Sequence, residues 1–171
     1  MSEQPTDAGT TESQPAEATE AEATGGTGPG HRQVELTRTA LGRYLATNAR
    51  GGSIPLGGGD SEDFTPVELL LVAIAGCSAV DVDHITSRRA EPEAFDVVSE
   101  GVKTSTTGEG NHMSDLEVTF RLRFPEGEAG DRAREMLPRA VAQSHDRLCT
   151  VSRTVQLGTP IEMRTGDRHD G

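Results

Sequence analysis

Lysine is almost missing from this chain of 171 residues. Lys103 is the only one, and Asp plus Glu outnumber Lys plus Arg by 28 to 16, for a net charge of −12. Phosphate affinity needs clustered Lys and Arg, so this balance argues against nucleic acid and against an anionic lipid surface as partners. No basic segment followed by an apolar one opens the chain, so no signal peptide is predicted. No uninterrupted apolar run reaches the roughly 20 residues that a bilayer span needs. The expectation is therefore a cytoplasmic protein without membrane association. There, a structural disulfide is not expected, and a thiol pair reads as redox-active or catalytic. The two cysteines, Cys77 and Cys149, cannot build a four-cysteine zinc site, and their separation of 72 residues fits no finger spacing. No phosphate-binding glycine motif opens a helix; the glycines at 57–59 read as a linker. There is no internal repeat and no defensible Ser-His-Asp arrangement, and no metal or organic cofactor is implied.

Residues 1–30 also lack something: beyond Met1 they hold no Val, Ile, Leu, Phe, Tyr or Trp. With Glu3, Asp7, Glu12, Glu17, Glu20 and Glu22 and no basic residue, they supply −6 of the net charge of −12. Such a segment cannot offset its ordering entropy by burial, and disorder is predicted. One domain is expected over 31–165, followed by a polar tail over 166–171.

What is present centres on Thr65 to Val82. Thr65 suits an N-cap, Pro66 the first helical position, and Glu68 completes a capping box three residues on. Leu69 to Cys77 then carries no charge. A helix that is apolar all round should be buried on most sides, and this one is expected to run to about Arg89. Ahead of it, Val34–Thr39 and Leu41–Thr47 read as strands joined tightly near Gly42, and Ser53–Leu56 as an edge strand because Pro55 lacks a donor. After it, Phe95–Lys103 reads as a strand with a bulge at Gly101. Leu116–Phe124 alternates without a break and is the strongest strand signal. Asp131 to Arg147 reads as a second helix that Pro138 should kink or split, with further helical turns after Cys149. Gly158–Arg164 reads as a last strand. The order predicts an α+β fold, antiparallel sheets packed around a long buried central helix.

The spacing leaves a chemical problem at Cys77. It lies too far inside its helix for the N-terminal dipole to act, while burial and Asp81, one turn on, would raise its pKa. A cation is needed. His145, four residues before Cys149, shares its face if the helix continues; a solvated helix-end histidine is the plainer reading. His84 is expected at a seam or hydrogen-bonded, without a second metal ligand, and His31, His112 and His169 fall in flexible segments.

Pro66-Val67-Glu68-Leu69-Leu70-Leu71, Ala75-Gly76-Cys77, Asp81-Val82 and Leu148-Cys149-Thr150-Val151-Ser152-Arg153-Thr154 together resemble the OsmC/Ohr family of thiol-dependent hydroperoxide reductases. The resemblance covers roughly Val34 to Arg164. It implies an intertwined α+β homodimer with central helices back to back and active sites at the subunit interface. It also implies Cys77 as the peroxidatic cysteine, Cys149 as the resolving one, and an arginine from the N-terminal strands that stabilises the thiolate. Arg43 is the best positional match, with Arg38 and Arg50 as rivals. The family's peroxidase branches place a glutamate directly after the helix-opening proline, where this chain has Val67. Glu68, one residue later, is the substitute candidate, although on an ideal helix it points away from Cys77 and lies roughly 13 Å from it along the axis; the capping box explains it better. The expected activity is reduction of hydroperoxides, organic ones favoured by apolar walls such as Leu70 and Ile74, with an external dithiol as reductant. The alternative is a non-enzymatic redox sensor or small-ligand-binding dimer.

Overall fold

The computed structural model describes residue 28 and residues 30–166. The tail expected over 1–30 thus lies almost wholly outside the described residues, as do most of residues 166–171. The chain divides into two compact units, one ending at Phe64 and one beginning at Thr65.

The first unit is an antiparallel meander of β1 (Val34–Ala40), β2 (Arg43–Asn48) and β3 (Ser53–Gly57), in that spatial order. Gly42, at φ +69°, makes the tight connection between β1 and β2, a backbone region that costs glycine nothing. Between β2 and β3 the Asn48 side chain closes the turn, its Oδ1 accepting from the backbone N–H groups of Arg50 (2.9 Å) and Gly52 (3.0 Å). Pro55 sits on an edge strand, as its missing donor requires. These three elements match the sequence expectation within a residue or two.

The second unit begins with α1 (Pro66–Thr86). The capping box is formed: the Glu68 backbone N–H donates to Thr65 Oγ1 (3.3 Å), and the Glu68 carboxylate accepts from the Thr65 N–H (2.7 Å) and hydroxyl (2.8 Å). The helix ends at Thr86, three residues short of the expected Arg89. At 21 residues it is long and apolar enough to cross a bilayer by length and composition, which a core helix can also be. Burial on most sides does not follow, however. The chain buries one stripe, Ile74, Ser78, Val82 and Thr86 at i, i+4 spacing, against β4, α2 and α3, while Val72 and Val80 stay about half-exposed (49% and 55%). One layer of partners covers one face.

Next come β4 (Ala94–Thr106) and β5 (Gly110–Arg123), a long antiparallel hairpin. Both strands extend further toward the turn than the sequence suggested, and only 107–109 connect them. The register shifts between Glu100 and Val102, as expected for a bulge at Gly101. A Cβ there would meet the Leu116 side chain at 2.8 Å, so the bulge also depends on glycine's lack of one. Phe95 and Phe120 pack edge to face at 6.4 Å on this hairpin.

The second helix, α2 (Glu128–Gln143), runs through Pro138 rather than breaking there. Proline forfeits one hydrogen bond, and the fully buried Ala133 and Ala140 on either side of it keep their packing. The interruption falls later, at a π-helical turn over Ser144–Leu148, after which α3 (Thr150–Leu157) begins. Gly158 closes α3 in the left-handed region. The last strand expected over Gly158–Arg164 is not formed: residues 159–166 have no regular structure, and Ile161 and Met163 are 83% and 89% exposed.

Candidate functional site: two thiols and a carboxylate

Cys77 and Asp81 lie one turn apart on the same face of α1. Cys149 arrives from the other end of the unit. The π-helical turn widens the helix so that the Cys149 N–H bonds to the Ser144 carbonyl five residues back (3.0 Å), and Cys149 itself turns extended (φ −68°, ψ 102°) to become the N-cap of α3. The sulfurs of Cys77 and Cys149 and a carboxylate oxygen of Asp81 all fall within 4.8 Å of one another. Both thiols are free; Cys77 is half-buried and Cys149 fully buried. The side chain of Asp81 is held by Ser144, whose hydroxyl donates to Oδ2 at 2.9 Å.

From the sequence a cation is expected at Cys77; the structure instead shows a backbone donor at the start of α3, and it serves Cys149. Cysteine is not among the favoured N-cap residues, yet Cys149 Sγ accepts the Ser152 backbone N–H at 3.3 Å, as a capping oxygen would. The pair is thereby polarised. Burial pushes the Cys77 thiol up, joined by its hydrogen bond to Cys149 and by the charges of Cys149 and Asp81, with the Val151 N–H partly offsetting them. Burial also opposes ionisation of Cys149, but hydrogen bonds from Cys77, Ser152 and Ser78 outweigh it and hold this thiol below its ordinary range. The hydrogen bond between the thiols thus favours the thiolate at Cys149, with Cys77 as the donor.

Beside the thiols lies a cavity of about 470 Å³ whose walls include Ile74, Val118, Phe120, Val141 and Val155, with Ser78 and Ser152 at the cysteine side. Ile74 lines it as expected and Leu70 does not. His145 stands at its rim, exposed, its ring bonded to Asp146 (2.8 Å) and Gln156 (3.2 Å) rather than to Cys149. His84 is exposed and contacts the Val80 carbonyl (2.8 Å).

The remaining two candidates are engaged locally. Arg43, in the first unit, pairs with Asp60 (3.7 Å) and Asp63 (3.5 Å). The Glu68 carboxylate is the capping group of α1, and its hydrogen bonds from the Thr65 backbone and side chain hold it below the usual carboxylate range. Ser78, Ser144 and Ser152 were not singled out from the sequence. Only Ser152 stood within a recognised motif, and no spacing rule ties the other two to the sulfurs.

The family model for OsmC-like proteins matches residues 58–164. An uncharacterized protein of Mycobacterium tuberculosis is 29% identical over 136 residues, covering 79% of this chain and 96% of the relative. Among solved structures, a hypothetical protein from Aquifex aeolicus is 26% identical with a TM-score of 0.58, over 74% of this chain and 88% of that one. An OsmC-like protein from Mycoplasma pneumoniae shares the fold at 14% identity and a TM-score of 0.57, over 72% and 86%. So does an organic hydroperoxide resistance protein from Legionella pneumophila, at 16% and 0.50, over 73% and 90%.

Proposed function

Because the chain belongs to the OsmC-like protein family, for which a redox or hydroperoxide-related role is indicated, we propose that it reduces organic hydroperoxides with Cys77 and Cys149. The observation that carries this reading is the approach of the only two sulfhydryls to within 4.8 Å beside an apolar cavity.

Cys77 is the more accessible sulfur and takes the peroxidatic role. Its thiolate attacks the outer peroxide oxygen, the O–O bond breaks, and the alkoxide leaves as alcohol after taking up a proton. Cys77 is then a sulfenic acid. Cys149 attacks that sulfur as a thiolate, the S–O bond breaks, hydroxide leaves and takes a proton from solvent to become water, and the disulfide forms. The donors at the start of α3 serve this second half, because they hold Cys149 as the nucleophile. The first half needs the proton of Cys77 to move away, and Arg43 is the group we assign to favour the Cys77 thiolate and orient the peroxide. Glu68 is a weaker candidate for the same task. An external dithiol returns the disulfide to the starting state. The working form is a homodimer, a reading supported by the uncovered Val72 and Val80 on α1.

Two features favour a second reading, a redox sensor that is oxidised once without efficient turnover. Val67 stands where the peroxidase branches carry glutamate, and the thiol held below its ordinary range is the buried Cys149.

The test is consumption of cumene hydroperoxide and hydrogen peroxide by the reduced protein with excess dithiol, beside Cys77→Ser and Cys149→Ser. Sustained turnover, faster with cumene hydroperoxide and lost in Cys77→Ser, is expected. A single oxidation to the disulfide under several reductants would establish the sensor. Survival of both thiols in excess peroxide refutes both readings.

A further inference from the structure

The two sulfurs have a neighbour that the peroxide cycle does not use. Asp81 projects from α1 toward them, one turn beyond Cys77, and three potential ligand atoms from two helices converge within 4.8 Å. We propose that in the reduced protein Cys77, Asp81 and Cys149 form a three-ligand site for a thiophilic divalent cation of the zinc class, with the fourth position open to water.

The donor set selects the metal. Two thiolates and a carboxylate suit zinc and its neighbours and are unsuited to magnesium or calcium, which take oxygen ligands. Three protein ligands plus an open position is the pattern of accessible rather than closed zinc sites. Geometry is close to what a tetrahedral ion needs. With Zn–S near about 2.3 Å and Zn–O near about 2.1 Å, ligand atoms stand roughly 3.5–3.8 Å apart, so the present spacing closes by about 1 Å through side-chain rotation. The supporting contacts are already formed. Ser144, itself 1% exposed, fixes the Asp81 carboxylate through a hydrogen bond to Oδ2, while the Ser152 N–H steadies the Cys149 sulfur. Half-buried Cys77 gives the ion a way in. Counting cysteines along the sequence had excluded only a four-cysteine site; the third ligand is a carboxylate.

Such a site is redox-gated. A bound cation holds both sulfurs as thiolates and blocks their approach to each other. A hydroperoxide that oxidises the two thiolates to the disulfide gains two electrons and two protons, leaves as alcohol and water, and releases the cation by removing two of its three ligands.

The experiment titrates the full reduced chain with cobalt(II), following its visible absorption and sulfur-to-metal charge transfer, and then displaces it with zinc(II) against a chromophoric chelator. Expected are one cation per chain, a tetrahedral cobalt spectrum with thiolate character, and release of the cation on adding cumene hydroperoxide. Asp81→Asn, which keeps the shape of the side chain, should weaken binding by at least about tenfold, and Cys77→Ser and Cys149→Ser, which each leave one thiolate, should each lower the charge-transfer band by about half or more. No stoichiometric binding, or binding unchanged in Asp81→Asn, overturns the proposal, and the Asp81 variant decides it even if a cysteine variant fails to fold. Peroxide turnover is measured separately with chelator present. Cation binding without turnover removes the peroxidase reading alone, and turnover without cation binding removes this one alone.

Discussion

Ser78→Ala tests the polarisation of the thiol pair without touching either cysteine. Ser78 is 6% exposed on the buried stripe of α1, and its hydroxyl is one of the hydrogen bonds that lower the Cys149 pKa. Net hydrogen bonds to a charged group contribute about 1.5–3 kcal/mol, and sulfur is a weak acceptor, so the low end applies. About 1.5 kcal/mol is about one pKa unit. Titration of the thiolate by its ultraviolet absorbance in the reduced protein should therefore show the first midpoint about one unit higher in Ser78→Ala. Below both midpoints the thiolate population should be about tenfold lower. The low midpoint should vanish in Cys149→Ser and persist in Cys77→Ser. Stability follows with a definite sign. The folded pKa of Cys149 lies below its unfolded value, so its contribution is fully present above the unfolded thiol pKa of about 8.5 and is lost as pH falls through the folded value. Cys77 acts oppositely: raised on folding, its contribution is present below the unfolded value and fades as pH rises through the folded one. Urea unfolding of wild type and Ser78→Ala should thus diverge as pH rises from neutral to about 9. An unmoved midpoint in Ser78→Ala, or a low midpoint that survives in Cys149→Ser, refutes the assignment of the first ionisation to Cys149.

Other perturbations probe the frame. Thr65→Ala removes the hydroxyl half of the capping box and should cost about 1 kcal/mol, read as a lower urea midpoint at constant slope. Val82→Ala hollows a position that is 0% exposed and should cost on the order of 2 kcal/mol in thermal unfolding. Gly130→Ala would drive a Cβ into the Pro125 carbonyl and force the first turn of α2 to move, a loss on the order of 3 kcal/mol visible in the same assay. Val118→Trp places an indole in the cavity beside the thiols; it should raise KM for cumene hydroperoxide about fivefold, about 1 kcal/mol, and leave hydrogen peroxide consumption nearly unchanged, which steady-state kinetics would show.

The elements that could be read from the sequence were those whose signals are local. Thr65-Pro66-Val67-Glu68 announces a helix start because capping involves residues three apart, and it is formed as written. Leu116–Phe124 announces a strand because one face of a pleat repeats every second residue. The misreadings were decisions made elsewhere in the chain. Gly158–Arg164 has strand-like composition, but a strand exists only where another pairs with it, and here the segment has no regular structure. Pro138 is expected to kink or split its helix, and the split does not occur: Ala133 and Ala140 are fully buried on either side and the helix continues. The site divides in the same way. Two cysteines in one chain can be counted; their meeting depends on a π-helical turn that no residue between Ser144 and Leu148 announces. That turn sets which thiol ionises. The sequence argument looked for a cation to serve Cys77 because α1 begins too far away to help it. The structure provides a second helix start, α3, and directs its free N–H groups at the sulfurs, with the Ser152 bond falling on Cys149. A helix N-terminus is a partial positive charge supplied by backbone, so it carries no residue signature to search for. At Cys149 the groups that favour the thiolate are a peptide N–H and neighbouring hydroxyl and thiol groups.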